Sequence, residues 1–142
     1  MSIVQWDGSQ ALGVEIIDTQ HKHLFEVVNS LHDKLHDPNA NAASLLTTVD
    51  SMRQYVHFHF TTEEELLERH QWPELERHKQ LHREFARKAD ELLHTAEINV
   101  TRALREALVF LVDWLVTHIE GEDQKYGPFL REQMDGTSDP GA

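Results

Sequence analysis

Residues 45–66 read LLTTVDSMRQYVHFHFTTEEEL. Taken at alternating steps of three and four, the stretch gives Leu45, Val49, Met52, Val56, His59, Glu63 and Leu66. That spacing is the buried stripe of an amphipathic helix, yet two of its members are an imidazole and a carboxylate. Three more segments behave the same way. The first gives His21, Leu24, Val28, Leu31 and Leu35; the third gives Leu75, His78, His82, Phe85, Ala89 and Leu92; the fourth gives Leu104, Leu108, Leu111, Leu115 and His118. An unpaired polar group facing inward costs roughly 2–7 kcal/mol, and a charge costs more. Five histidines and a glutamate on four apolar seams therefore ask for one shared partner, and a metal centre meets that demand at the lowest cost.

The punctuation around these seams predicts four helices. Residues 1–17 lack helical periodicity and read as an extended arm, with turns at Trp6-Asp7-Gly8 and Gly13, whose Trp6, Leu12 and Ile16 pack on the body. Asp18 is the expected N-cap of a first helix over about 18–37, which stops at Asp37-Pro38. A second helix is expected over about 42–70, a third over about 73–96 with Pro73 in its first turn, and a fourth over about 101–125. Gly127-Pro128 is expected to break the fourth, with a short helical turn from Phe129 to Met134. No stretch alternates like a strand. The expected fold is all-α, an up-down-up-down antiparallel four-helix bundle in residues 1–134, with a disordered tail at 135–142.

Antiparallel connection brings His21 near the start of the first helix, His59 and Glu63 late in the second, His78 and His82 early in the third and His118 late in the fourth to one level. Their axial offsets agree within roughly two turns at 1.5 Å per residue. His78 and His82, four residues apart, share a face and can chelate one ion. Five imidazoles divide well between two ions, and a carboxylate can bridge them. Imidazole with carboxylate and no thiolate suits iron, zinc, manganese or copper. A second carboxylate is expected after His118. On a straight helix Glu122 is in register with His118, whereas Asp123 lies about 140° away. Geometry favours Glu122, although a local distortion at Gly121 could turn Asp123 inward.

Bulk properties exclude other classes. The chain has 142 residues and no cysteine, so disulfides, thiolate metal sites and cysteine nucleophiles are out. Its formal charge of −12 disfavours nucleic acid and anionic lipid as partners. The longest apolar run, Ala107 to Val112, is far short of the ~20 residues of a membrane span. With no secretory signal in view, a soluble cytoplasmic protein is the expectation. A lone inward histidine is ordinarily a hydrogen-bonded core residue; six polar groups converging at one level are not. His32 and His36 are four apart but lie one step off the Leu31 and Leu35 seam, and read as solvated. His23, His57 and His94 read as surface, His70 as packing at a helix end, and Glu64 and Glu65 as a solvated run. Glu91-Leu92-Leu93-His94 is a single E-x-x-H, whereas ferritin-like di-iron enzymes need two.

Asp18-Thr19-Gln20-His21, His59-Phe60-Thr61-Thr62-Glu63-Glu64, Trp72-Pro73 leading to His78-Lys79-Gln80-Leu81-His82, and Trp114 through His118 to Asp123 resemble the hemerythrin family, its single-domain bacterial members most closely, over about residues 3–130. The resemblance implies a non-haem di-iron site in which His78, His82 and His118 bind one iron, His21 and His59 bind the other, and Glu63 and Asp123 bridge. It selects Asp123 over Glu122. An oxo or hydroxo group would be a third bridge. The implied function is reversible dioxygen binding, for storage, transport or sensing, at the iron with an open position and without enzymatic turnover. The matching pocket residues are Leu24, Phe60, Trp114, Leu115 and Ile119, all apolar or aromatic, as a reversible oxygen site requires. A di-iron oxidase, peroxidase or nitric-oxide scavenger on the same ligands is the alternative, and a histidine-rich zinc or iron store is a third.

Overall fold

A computed structural model describes residues 4–95 and 100–138. The described residues contain helices and no strand. The helices are α1 (Glu15–Leu35), α2 (Ala42–Arg69), α3 (Leu75–Thr95), α4 (Val100–Thr117) and α5 (Asp123–Ser138), with a π-helical turn at His118–Glu122 joining α4 to α5. Because α4, the π turn and α5 follow one another without a break, the bundle has four rods. α1 packs on α2 and α4, and α3 on α4 and α2. This is the antiparallel four-helix bundle that the four seams require.

Local chemistry sets the helix ends. Asn41 caps α2, its side-chain oxygen accepting from the Ser44 N–H at 2.8 Å. α2 ends in a Schellman motif: Gln71 takes the left-handed conformation at φ 59°, its N–H reaches Glu68 O at 3.1 Å, and the Trp72 N–H reaches Leu67 O at 2.9 Å. The chain thus turns sharply from α2 into α3, which starts at Leu75 rather than at the expected position 73.

Three expectations need correction. Asp18 does not cap α1. The helix starts earlier, with Val14 at the cap position, and the Asp18 carboxylate instead accepts from the Leu12 and Gly13 N–H groups at 2.7 and 3.0 Å, tying the arm to the first turn. The earlier start also rotates Ile16 off the seam. It is 47% exposed, and Ile17 is buried in its place. Gly127-Pro128 does not end the last rod: α5 continues through Pro128 to Ser138. A proline inside a helix costs about 3 kcal/mol. Tyr126 and Leu130, both fully buried against the arm residues Leu12 and Val14, offset it, since each large buried apolar side chain contributes ~1.5–3 kcal/mol. The tail expected from 135 therefore begins on helix, and residues 139–142 lie outside the described part.

The interior has two apolar layers. The larger contains Leu24, Val28, Leu31, Val49, Met52, Val56, Phe60, Phe85, Leu108, Leu111, Leu115 and Ile119. The smaller contains Leu12, Val14, Ile17, Leu66, Leu67, Tyr126 and Leu130. Along each of α1, α2 and the last rod, the buried polar residues fall between members of the two layers. The arm supplies Leu12 and Val14 to the smaller layer, while Trp6 packs edge-on against Phe25 of the larger at 5.6 Å between centroids.

Candidate metal centre

His21, His59, Glu63, His78, His82, His118 and Asp123 are all buried and form the polar slab between those layers. Their arrangement has two halves. Glu63 Oε1 faces the Nε2 atoms of His82 at 3.2 Å and His118 at 4.0 Å, and also that of His78, while its Oε2 faces His59 Nε2 at 3.1 Å and His21 Nε2 at 3.6 Å. Asp123 Oδ1 lies 3.0 Å from His78 Nε2 and 3.0 Å from His118 Nε2, and its Oδ2 lies 3.1 Å from His21 Nε2. Each carboxylate thus gives one oxygen to a three-histidine group and the other to a two-histidine group.

The π turn decides the second carboxylate. The Asp123 N–H reaches back five residues to His118 O. This wider turn rotates Asp123 onto the face of His118. Glu122, favoured by straight-helix geometry, lies outside and pairs with Arg77 at 2.6 and 3.2 Å and with Lys125 at 3.2 Å. Gly121 lies in this turn, but its backbone is not left-handed and a Cβ there would meet nothing within 4 Å. The distortion is therefore one of register, with no steric need for glycine.

Several polar atoms in the slab are buried without a hydrogen-bond partner, among them His21 Nε2, His82 Nε2, His118 Nε2, Glu63 Oε2 and both Asp123 oxygens. Buried polar groups are normally satisfied. Here the orphans converge, and two sets of donor atoms, Glu63-His78-His82-His118 and His21-His59-Glu63-Asp123, each lie close enough together to hold an ion. The residues fit a pair of cations sharing two carboxylates. Without cations the imidazoles carry the compensating charge. Burial opposes protonation of His21 and His78, but Asp123 and Glu63 override it and push them up to about 9 and about 10. His82 is also raised against burial, by Glu63 and Glu64. His59 is lowered, because burial wins there. Glu63 is held well below the usual carboxylate range by its imidazole neighbours, against burial. Asp123 is depressed too, with His118 and His21 outweighing burial and the Glu63 charge.

A family model, the hemerythrin HHE cation binding domain, matches residues 12–130. The chain belongs to the hemerythrin family. The bacteriohemerythrin of Stenotrophomonas maltophilia (strain R551-3) is 29% identical over 136 residues, spanning 94% of this chain and 86% of that relative. The bacteriohemerythrin of Methylococcus capsulatus (Bath) is 30% identical over 134 residues, spanning 92% and 98%. A crystal structure of wild-type hemerythrin matches with a TM-score of 0.78 at 28% identity, covering 91% of this chain and 98% of that one.

Leu24, Phe60, Leu115 and Ile119 are buried and Trp114 is half-buried, all in or against the larger apolar layer. The Phe60 ring stacks on His82 at 3.7 Å and 3°, and Trp114 stacks on His118 at 4.2 Å and 14°. Both fix imidazoles of the three-histidine group. Of the other histidines, His23, His36, His57 and His94 are exposed as expected, while His32 and His70 are half-buried.

Three residues of the site escaped the sequence reading. Gln20 accepts from His59 Nδ1 at 2.7 Å, and Glu64, read as solvated, accepts from His82 Nδ1 at 2.9 Å. Tyr126 is fully buried, its ring 5.4 Å from that of His78. Burial, Asp123 and Glu63 push its hydroxyl well above the usual phenol range. Continuing the seam past the bulge, through Asp123, Tyr126 and Leu130, would have found the tyrosine. No single-helix signal marks Gln20 or Glu64, because their partners lie on other helices.

Proposed function

We propose that this chain binds dioxygen reversibly at a non-haem di-iron centre. His78, His82 and His118 would hold one iron, His21 and His59 the other, and Glu63 and Asp123 would bridge. The observation that carries this is the division of each buried carboxylate between the two histidine groups, since one ion would leave half of the donors idle. Unequal donor number leaves room for a ligand on the two-histidine side. When bound, the iron pair would supply the two electrons that dioxygen needs to be held as a reduced ligand. The protein's part is to keep the two ions together, offset part of their charge with Glu63 and Asp123, and exclude water. Leu24, Phe60, Trp114, Leu115 and Ile119 serve the last task as the proposed oxygen pocket. Dioxygen is the expected ligand and the cytoplasm the expected compartment. No described helix is long and apolar enough to cross a membrane.

Tyr126 favours a second reading, a di-iron oxidase, peroxidase or nitric-oxide scavenger. A buried phenol against His78 could deliver an electron that would make oxygen reduction irreversible. One experiment separates the readings. The chain is loaded anaerobically with ferrous iron, exposed to air and then deoxygenated. Reversible binding predicts two irons per chain and a visible charge-transfer band that appears with air and disappears on deoxygenation. A band that does not reverse, with full reversibility restored by Tyr126→Phe, would support turnover. A chain that prefers two zinc ions and stays colourless would refute both.

A further inference from the structure

One histidine in each group meets a side-chain acceptor with its outer nitrogen, and the two acceptors differ. On the two-histidine side, His59 Nδ1 meets the side-chain oxygen of Gln20 at 2.7 Å. The amide cannot be turned round: its Nε2 donates to Thr62 Oγ1 at 3.4 Å, and the Thr62 hydroxyl donates its own proton to Phe58 O at 3.0 Å. Gln20 Oε1 is thus fixed as an acceptor, His59 Nδ1 carries the hydrogen, and His59 Nε2 keeps its lone pair toward Glu63. On the three-histidine side, His82 Nδ1 meets Glu64 Oε2 at 2.9 Å, so the same tautomer is fixed by a full negative charge. The remaining outer nitrogen on the two-histidine side, His21 Nδ1, is buried with no partner.

A carboxylate that accepts from the outer N–H of a ligating imidazole makes the ring more basic and a stronger donor, and an amide does so far less. A stronger donor set stabilises the more highly charged metal. The bridging carboxylates largely cancel in the comparison, because Glu63 and Asp123 each give one oxygen to each side. We infer that Glu64 and Gln20 are positioning residues that set the order of oxidation: the ion held by His78, His82 and His118 gives up its electron first, and the ion held by His21 and His59 stays reduced longest. The step is a one-electron loss, ferrous to ferric, to an external oxidant such as a mediator dye. Glu64 is 26% exposed, so water screens part of its charge, whereas Gln20 is buried. The third imidazole on the first side acts in the same direction. The charge at Glu64 must therefore be isolated by substitution.

This inference rests on the di-iron reading, and the experiment separates the two. Iron-loaded wild type, Glu64→Gln and Gln20→Glu are titrated with redox mediators while Mössbauer spectra resolve the two ions. Glu64→Gln keeps the hydrogen bond but not the charge. It should raise the midpoint of the first oxidation by about a tenfold change in the ferrous-to-ferric ratio, ~59 mV for one electron, and leave the second unmoved. Gln20→Glu should lower the second midpoint by a similar factor and narrow the gap. A purely structural role would lower iron content without moving either midpoint. Should Glu64→Gln shed iron, Gln20→Glu decides the matter alone, because it adds a charge instead of removing one. Both midpoints unchanged, or both moved together, would overturn the proposal and leave the di-iron reading standing. A wild-type chain holding fewer than two irons would overturn both.

Discussion

Deleting Gly121 should convert the π turn into ordinary helix and still leave Asp123 in the metal site. On a regular helix each residue turns about 100°, so five steps from His118 place Asp123 about 140° round the rod. The π turn closes that gap, with the Asp123 N–H bonded to His118 O. Removing one residue leaves four steps, about 400°, which returns Asp123 to within about 40° of His118 with no bulge. The spacing from Asp123 to Tyr126 and Leu130 is untouched, so the smaller apolar layer keeps its register. The rod shortens by about 1.5 Å at most. A glycine also leaves a helix interior, where it is worse than alanine by about 1 kcal/mol. The deleted chain should therefore take up two metal ions and melt at the same temperature or higher. Metal content by elemental analysis and a thermal melt give both readouts. Asp123→Ala is the contrast: it strips His21, His78 and His118 of a shared carboxylate and should cost at least one ion. Gly121→Ala should keep both ions, since its Cβ meets nothing. If the deletion behaved like Asp123→Ala, the idea that the π turn is only a register correction would be refuted.

His82→Ala should empty the three-histidine group and leave Phe60 without its stacking partner, lowering metal content, whereas His36→Ala at the exposed C-cap of α1 should change neither metal content nor stability. Gln71→Gly should stabilise the chain by about 0.5–1 kcal/mol in a denaturant titration, because Gln71 sits at φ 59° where only glycine is free of strain. The metal-free chain should lose stability as pH rises. His21 and His78 sit at about 9 and about 10 when folded against an ordinary 6.5, so their contribution is complete below about 6.5 and lost as pH rises through about 9–10. The loss should be on the order of a few kcal/mol for each histidine, at about 1.4 kcal/mol per tenfold change in proton affinity. Glu63 and Asp123 add stability that disappears at the acid end, as pH falls through their depressed values. Denaturant melts at several pH values check both limbs. A metal-loaded chain should lack the alkaline limb and should release protons as it loads. An alkaline limb unchanged by metal would refute the assignment of those histidines as ligands.

Four seams at alternating steps of three and four are a local property of an α-helix, so the four rods and six of the seven buried residues of the polar slab are legible in the sequence alone. Antiparallel order then put those donors at one level without any knowledge of packing. The start of α1 is ambiguous in the sequence because a capping residue and a first-turn acid look alike there: Asp18 has the right chemistry for either role. Pro128 is the converse case: an intrinsic preference against helix is overridden by the burial of Tyr126 and Leu130. Features that depend on two rods at once are settled by packing. The π turn that exchanges Glu122 for Asp123 is worth its irregularity only when Asp123 meets imidazoles from α1 and α3 and Glu122 meets Arg77. Gln20 and Glu64 are likewise ordinary polar residues on their own helices. They gain a role only where a neighbouring rod brings His59 or His82 within hydrogen-bonding reach. Periodicity is a property of one helix, and partnership across a bundle is not.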